Sequence, residues 1–226
     1  YGSAGGGGGG HAAAGENAPA NTFRGGNNPG GVGGAVCGSA LFEAGCLLGS
    51  GGGSGFPFYH PCGNADSGKG GAGGGVIDIF ARESIEIKAT AALRANGSDG
   101  TAGAVHHHSG GGGGSGGSIL LRSPRVALDG MNAWGDGMLD CSGGRGGAAG
   151  PGNDIQPGVC TRGGNGASGR ICIQTAPTSD LTARLARTPT ACVVAVEWPN
   201  SLEDDAAGPP GAGVEQCLRE LDAAAP

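Results

Sequence analysis

The sequence predicts a mainly β, repetitive fold: an ordered solenoid in which short strands alternate with glycine runs. Three observations carry this expectation. One strand phrase recurs three times, each time after a glycine run. Glycine supplies 55 of the 226 residues, against an ordinary usage of ~7%. Eight cysteines, an even number, are scattered through a chain whose apolar share is 37% and whose aromatic share is 4%. That composition is too poor in apolar side chains for one large hydrophobic core.

The repeated phrase is the strongest of the three, because self-similarity at a long period marks stacked units. Residues 71–75 lead into Val76-Ile77-Asp78-Ile79-Phe80-Ala81, residues 114–117 into Ser118-Ile119-Leu120-Leu121-Arg122-Ser123, and residues 166–169 into Arg170-Ile171-Cys172-Ile173-Gln174-Thr175. The isoleucines Ile77, Ile119 and Ile171 follow at intervals of 42 and 52 residues. Ile85-Glu86-Ile87 and Val126-Ala127-Leu128 continue the first two copies with the alternation of a strand that buries one face. Such a unit cannot bury its apolar face alone, whereas stacked copies can. A Gly/Ser linker gives no reason for the same strand phrase after each run. The glycines themselves are open to three readings: close backbone approach, positive φ at tight corners, or extended glycine helices packed side by side.

Three regions are expected. Residues 1–70 read as an irregular glycine-rich N-terminal segment, with a degenerate copy at Ala35-Val36-Cys37 and Ala40-Leu41-Phe42. Its aromatic patch, Phe56-Pro57-Phe58-Tyr59-His60-Pro61, carries two prolines that exclude a regular strand and reads as an end plug or a partner contact. Residues 71–175 read as the repeat solenoid. Residues 176–226 read as a cap: a buried strand over 191–198, an acidic loop over 201–213, and an amphipathic helix on which Val214, Cys217, Leu218 and Leu221 share a face.

The net charge of −6 with only 14% charged residues argues against a nucleic-acid binder, which shows a basic stripe. The longest apolar runs fall far short of the ~20 residues a membrane-spanning helix needs. None of Cys37, Cys46, Cys62, Cys141, Cys160, Cys172, Cys192 and Cys217 sits in a CxxC pair, so all eight are disulfide candidates in an oxidising compartment. Cys192 with Cys217, and Cys141 with Cys160, are the two pairs considered; connectivity stays open. The chain opens on Tyr1 rather than Met, and removal of a signal peptide or larger precursor is expected.

Residues 110–137, which include the run from Gly116 to Gly130, resemble the repeats of glycine-rich surface and secreted proteins of bacteria of the myxobacterial and planctomycete type. Residues 71–100 match the same pattern, and Gly9-Gly10-His11 and residues 48–53 resemble its lead-in. The resemblance covers roughly residues 1–175. It implies a right-handed parallel β-helix or a related glycine-rich solenoid, with polyglycine-II-like segments as one form, in an extracellular or cell-surface setting. It implies no catalytic residues. The eight cysteines and the strand–helix end depart from the pattern and suggest a covalently hardened member. An open repeat end would expose strand edges and allow assembly into a filament.

Motifs with chemical content are few. Residues 63–70 approach a phosphate-binding loop with Lys69 in the lysine position, but Gly70 replaces the Ser/Thr that would hold magnesium. Ser115 satisfies G-x-S-x-G by composition alone. His106 and His108 could share a strand face and a metal, with His60 or His11 joining them; the competing reading is a solvated loop. Acids and bases near the strands include Asp78, Glu83, Glu86, Asp129, Asp136, Asp140, Arg82, Lys88, Arg122 and Arg125, and alternation puts Asp78 outward if Ile77 and Ile79 face in. Asn96-Gly97-Ser98 is a glycosylation sequon. The expected function is an extracellular structural or adhesive protein without catalytic activity or cofactor. Its partners would be further copies of itself in a homopolymer, or cell-surface glycans. The alternatives are a carbohydrate-binding module, with Phe56, Phe58, Tyr59 and Trp134 as stacking platforms, and a polysaccharide-degrading β-helix enzyme.

Overall fold

The computed structural model describes residues 4–22, 28–38, 48–56, 67–88, 90–104, 108–128, 139–150, 160–176 and the backbone of 191–195. All regular elements among them are strands: β1 (Val76–Phe80), β2 (Ile85–Ile87), β3 (Leu93–Arg94), β4 (Ser118–Arg122), β5 (Val126–Leu128), β6 (Leu139–Asp140), β7 (Arg170–Thr175) and β8 (Ala191–Ala195). They form three small parallel sheets, ordered β1-β4-β7-β8, β2-β5 and β3-β6. The recurring phrase is what stacks. Ile77, Ile119 and Ile171 are register partners, as are Ile79, Leu121 and Ile173. One passage of the chain supplies β1, β2 and β3, the next supplies β4, β5 and β6, and β7 and β8 extend the first sheet.

The apolar residues of these ladders meet between the sheets. Ile85, Ile87, Ile119, Leu121, Val126, Leu128, Ile171 and Ile173 are buried together with Ala95 and Cys141, and Ile77, Ile79, Ala81, Leu93 and Leu139 pack against them half-buried. Burying each such aliphatic side chain contributes roughly 1.5–3 kcal/mol. The half-buried members lie on or just after β1, on β3 and on β6, whereas Ile85 and Ile87 of β2 are buried.

The rest of the described chain is a bundle of nine extended segments: I (4–11), II (15–21), III (28–37), IV (48–56), V (67–75), VI (95–103), VII (108–117), VIII (141–150) and IX (160–169). They bond to one another at every third residue. Gly6 and Gly9 of segment I donate to Gly110 and Gly113 of segment VII, and Gly110, Gly113 and Gly116 donate to Thr161, Gly164 and Ala167 of segment IX. A period of three is that of a left-handed extended helix with three residues per turn and a rise of ~3.1 Å. Odd-numbered segments run one way and even-numbered ones the other. Strands β1, β4 and β7 continue segments V, VII and IX at the same end, and β3 and β6 lead back into VI and VIII.

Segment VII lies at the centre and is buried along its whole length. Every backbone N–H from Gly110 to Ser118 donates to a carbonyl, those of 110–117 going in turn to segments IX, VI and IV. Every carbonyl from His108 to Ser115 accepts, in turn from segments VIII, V and I. Six neighbours thus surround one chain and satisfy its polar groups, as burial demands.

Close approach is the reason for glycine here. A Cβ on Gly112, Gly113 or Gly114 would collide with the carbonyl of Gly7, Gly144 or Ala72: three successive residues against three different neighbours. Positive φ is not the reason, since Gly38 is the one described glycine that adopts it (φ 73°). Ser109 and Ser115 fit because each hydroxyl accepts a backbone N–H, from Thr161 (3.0 Å) and Ser50 (2.8 Å).

Two expectations change. The described residues of 1–70 are regular segments of the bundle, because an extended glycine chain needs no side-chain periodicity to find partners. Ala35-Val36-Cys37 belongs to segment III, where Cys37 N–H donates to the His11 carbonyl (3.0 Å), and is not a strand. The helix expected at 214–221 lies outside the described residues.

Candidate functional site

The far end of the four-stranded sheet brings an acid, a guanidinium, an amide and an aromatic ring together. Alternation sends Ile77, Ile79, Ile119, Leu121, Ile171 and Ile173 into the core, and Asp78, Phe80, Leu120, Arg122, Cys172 and Gln174 to the opposite face, on which Leu120 and Cys172 are themselves buried. The register then sets Phe80, Arg122 and Gln174 side by side on β1, β4 and β7. Arg122 Nη2 donates to both Asp78 oxygens (3.0 and 2.9 Å), with Nε at 3.3 Å from Oδ1. Its guanidinium carbon sits 5.7 Å from the Phe80 ring centroid, within cation–π range. Phe80 is 55% exposed. Both members of the ion pair are partly exposed, and such pairs are worth only ~0–1 kcal/mol. Asp78 and Phe80 were legible as same-face neighbours from sequence. Their union with Arg122 and Gln174 was not, since it depends on strand register.

The residues singled out from sequence are dispersed. Phe56 is 66% exposed at the end of segment IV; Phe58, Tyr59 and Trp134 lie outside the described residues. His106 and His60 also lie outside them. His108 is 5% exposed, so its place in the bundle overturns the solvated-loop reading. His11 is fully buried, with Nε2 3.3 Å from Ser118 Oγ. Ser118 stands ten residues beyond His108 along the extended chain, roughly 31 Å at the rise of such a helix, so His11 and His108 cannot share a metal. Among the described residues no cluster of His, Cys, Asp and Glu has metal-binding geometry.

The cysteines also separate. Cys37, Cys141 and Cys160 are free thiols. Cys141 and Cys160 are not bonded to each other, for a topological reason. Gly169 N–H donates to the Cys141 carbonyl, so Cys160, nine residues earlier in segment IX, stands about 28 Å away, beyond the ~7 Å limit for a disulfide. Burial, with the charge of Asp140 beside it, pushes the Cys141 thiol up to about 12. Burial also raises Cys160, against a backbone hydrogen bond from Gly150. Cys172 and Cys192 are register partners on β7 and β8. Cys46, Cys62 and Cys217 lie outside the described residues.

Other motifs resolve into scaffold. Residues 67–70 begin segment V, which runs into a strand rather than a helix, so Lys69 does not head a phosphate loop. Ser115 is fully buried inside the bundle and is no exposed nucleophile. Glu86 of β2 pairs with Lys88 just beyond the strand. Burial acts to raise the Asp140 carboxyl, but hydrogen bonds from the Asn96 amide and the Ser142 N–H outweigh it and hold Asp140 below the usual range. The Arg162 side chain, helped by the Asn165 N–H, does the same for Glu16. The Asn96 side chain donates to Asp140 (2.7 Å). No helix among the described residues is long and apolar enough to cross a membrane. Compared with known proteins, the chain matches no family, and no curated protein or solved structure is significantly similar to it.

Proposed function

We propose that the chain is an extracellular, cell-surface structural or adhesive protein that does no catalysis and assembles with copies of itself. The observation that carries this reading is segment VII, whose N–H groups from Gly110 to Gly117 all bond to surrounding segments. A body held in this way is stiff without a large apolar core, which suits a load-bearing or displaying role. The strands are read as coils of a right-handed parallel β-helix, β1–β3 and β4–β6, raised on a polyglycine-II-type bundle. The parallel register supports that reading, as does the right-handed rule for parallel crossovers. The likeness to glycine-rich bacterial surface and secreted proteins supports the setting, with disulfides among those cysteines that are not free thiols. Among the described residues, β1, β2 and β3 have no strand partner on one side, an edge that a second copy can extend. Negative-stain microscopy and sedimentation of the native protein over a concentration series test assembly. Filaments or growing oligomers are expected; a monomer at every concentration removes the filament.

A carbohydrate-binding role is the second reading. Exposed Phe56, with Leu48 exposed at the other end of the same segment, is the observation that favours it. Glycan-array binding that survives Phe56→Ala would remove Phe56 from that role.

A further inference from the structure

We propose that a groove along segment I, between segments III and IV, takes an extended glycine-rich strand of a second copy of this chain. This rests on the self-assembly part of the reading above and names the surface that carries it. Backbone donors and acceptors mark the groove. Segment VII shows a complete set of neighbours: its N–H groups go to three segments and its carbonyls accept from three others. Segment I bonds to five. It donates to segment VII from Gly6 and Gly9 and to segment II from Gly8. Its carbonyls accept from segment III at Gly5 and Gly8, from segment IX at Gly6 and Gly9, and from segment IV at Gly7. The N–H groups of Gly7 and Gly10 donate to no described residue. They stand one turn of the extended helix apart and so share a side of it. Both glycines are buried, and a buried N–H left unbonded is costly.

The walls fix the position of the groove. A Cβ on Gly31 or Gly34 of segment III would stand 2.5 or 2.6 Å from the nitrogen of Gly7 or Gly10, and one on Gly53 of segment IV 3.4 Å from that of Gly7. The two N–H groups therefore open between segments III and IV. A Cβ on Gly7 or Gly10 would strike the Val32 or Ala35 carbonyl, so these carbonyls border the same floor, and they accept from no described residue. A strand laid here accepts from Gly7 and Gly10 and donates to Val32 and Ala35, at the period of three on which the bundle is built. With backbone on three sides it must itself be rich in glycine, and this chain is made of such segments. Gly53 points the same way. A Cβ there would meet nothing nearer than 3.4 Å, so its own chain does not demand glycine at that wall, whereas a strand in the groove does.

Two measurements on the full chain test the groove. The first is amide hydrogen exchange of the wild type, dilute and concentrated. Gly7 and Gly10 should exchange about tenfold or more slowly once the chains associate. The second is sedimentation of Gly53→Val and Gly51→Val. Neither residue has positive φ, and a Cβ at Gly51 meets only the Gly71 carbonyl of segment V, at 3.4 Å, away from the groove. Gly53→Val should weaken association about tenfold or more, and Gly51→Val less than about twofold. Exchange of Gly7 and Gly10 in the wild type needs no variant to fold. Association that leaves their exchange unchanged, or that Gly53→Val does not weaken, overturns the groove and leaves self-assembly by another surface standing. Full protection of both amides already in the dilute monomer means that water or the chain itself fills the groove, and also overturns it. A wild type that stays monomeric at every concentration removes the assembly reading and the groove together.

Discussion

Gly113 and Gly75 differ in what a methyl group would meet. At Gly113 it would strike the Gly144 carbonyl, and at Gly75 nothing lies within 4 Å. Overpacking costs typically 1–3 kcal/mol, and rigid backbone on all sides puts Gly113→Ala at the upper end or beyond. Gly75→Ala should be neutral, or stabilising by up to about 1 kcal/mol, because it restricts the unfolded chain. Thermal melts of the two variants separate these outcomes. Composition announced a structural use of glycine, but it could not say which glycines touch backbone, since that depends on neighbours a hundred residues away. The thiols offer a second check at this scale. Cys37 is exposed and Cys141 and Cys160 are buried, so alkylation followed by mass mapping should label Cys37 first. The raised Cys141 thiol adds stability that is present below about pH 9 and lost as pH climbs towards 12. Asp140 acts on the acid side. Its folded carboxyl is held low, so its contribution is present above about pH 4 and lost as pH falls through the lowered value. Melting temperature between pH 5 and 2 should therefore fall less steeply in Asp140→Asn than in the wild type.

Among the elements, the ladder Ile77–Ile119–Ile171 predicts a gradient. Ile119 is fully buried in the middle and Ile77 half-buried at the open side. Ile119→Ala should cost about 2–5 kcal/mol, and Ile77→Ala distinctly less. Denaturant midpoints would show it, and equal losses would mean that a further layer covers β1. This ladder was legible because three copies of one phrase align by eye as they align in space. β3 and β6 were not, since two residues carry no period. Segments I to IV were misread as irregular for a deeper reason. Their period of three is written in backbone hydrogen bonds, and glycine has no side chain in which a sequence pattern could record it. The same limit hid the cluster at Phe80, where alternation within β1 was visible and pairing to Arg122 on β4 was not.

At the scale of the whole molecule, two kinds of cohesion are joined end to end: a small aliphatic core between short parallel sheets, and a glycine bundle held by backbone hydrogen bonds. The first explains why the strand phrases repeat, and the second why the runs before them are glycine. The functional reading depends on the second, because a disordered glycine tract could neither stiffen a surface protein nor hold a display face steady. Hydrogen exchange of the amides from Gly110 to Gly117 tests this most directly. Each is bonded at the centre of six neighbours, so these amides should open only with global unfolding and exchange as slowly as those of β4. Exchange at the rate of an unprotected chain, with β4 still protected, would contradict the account.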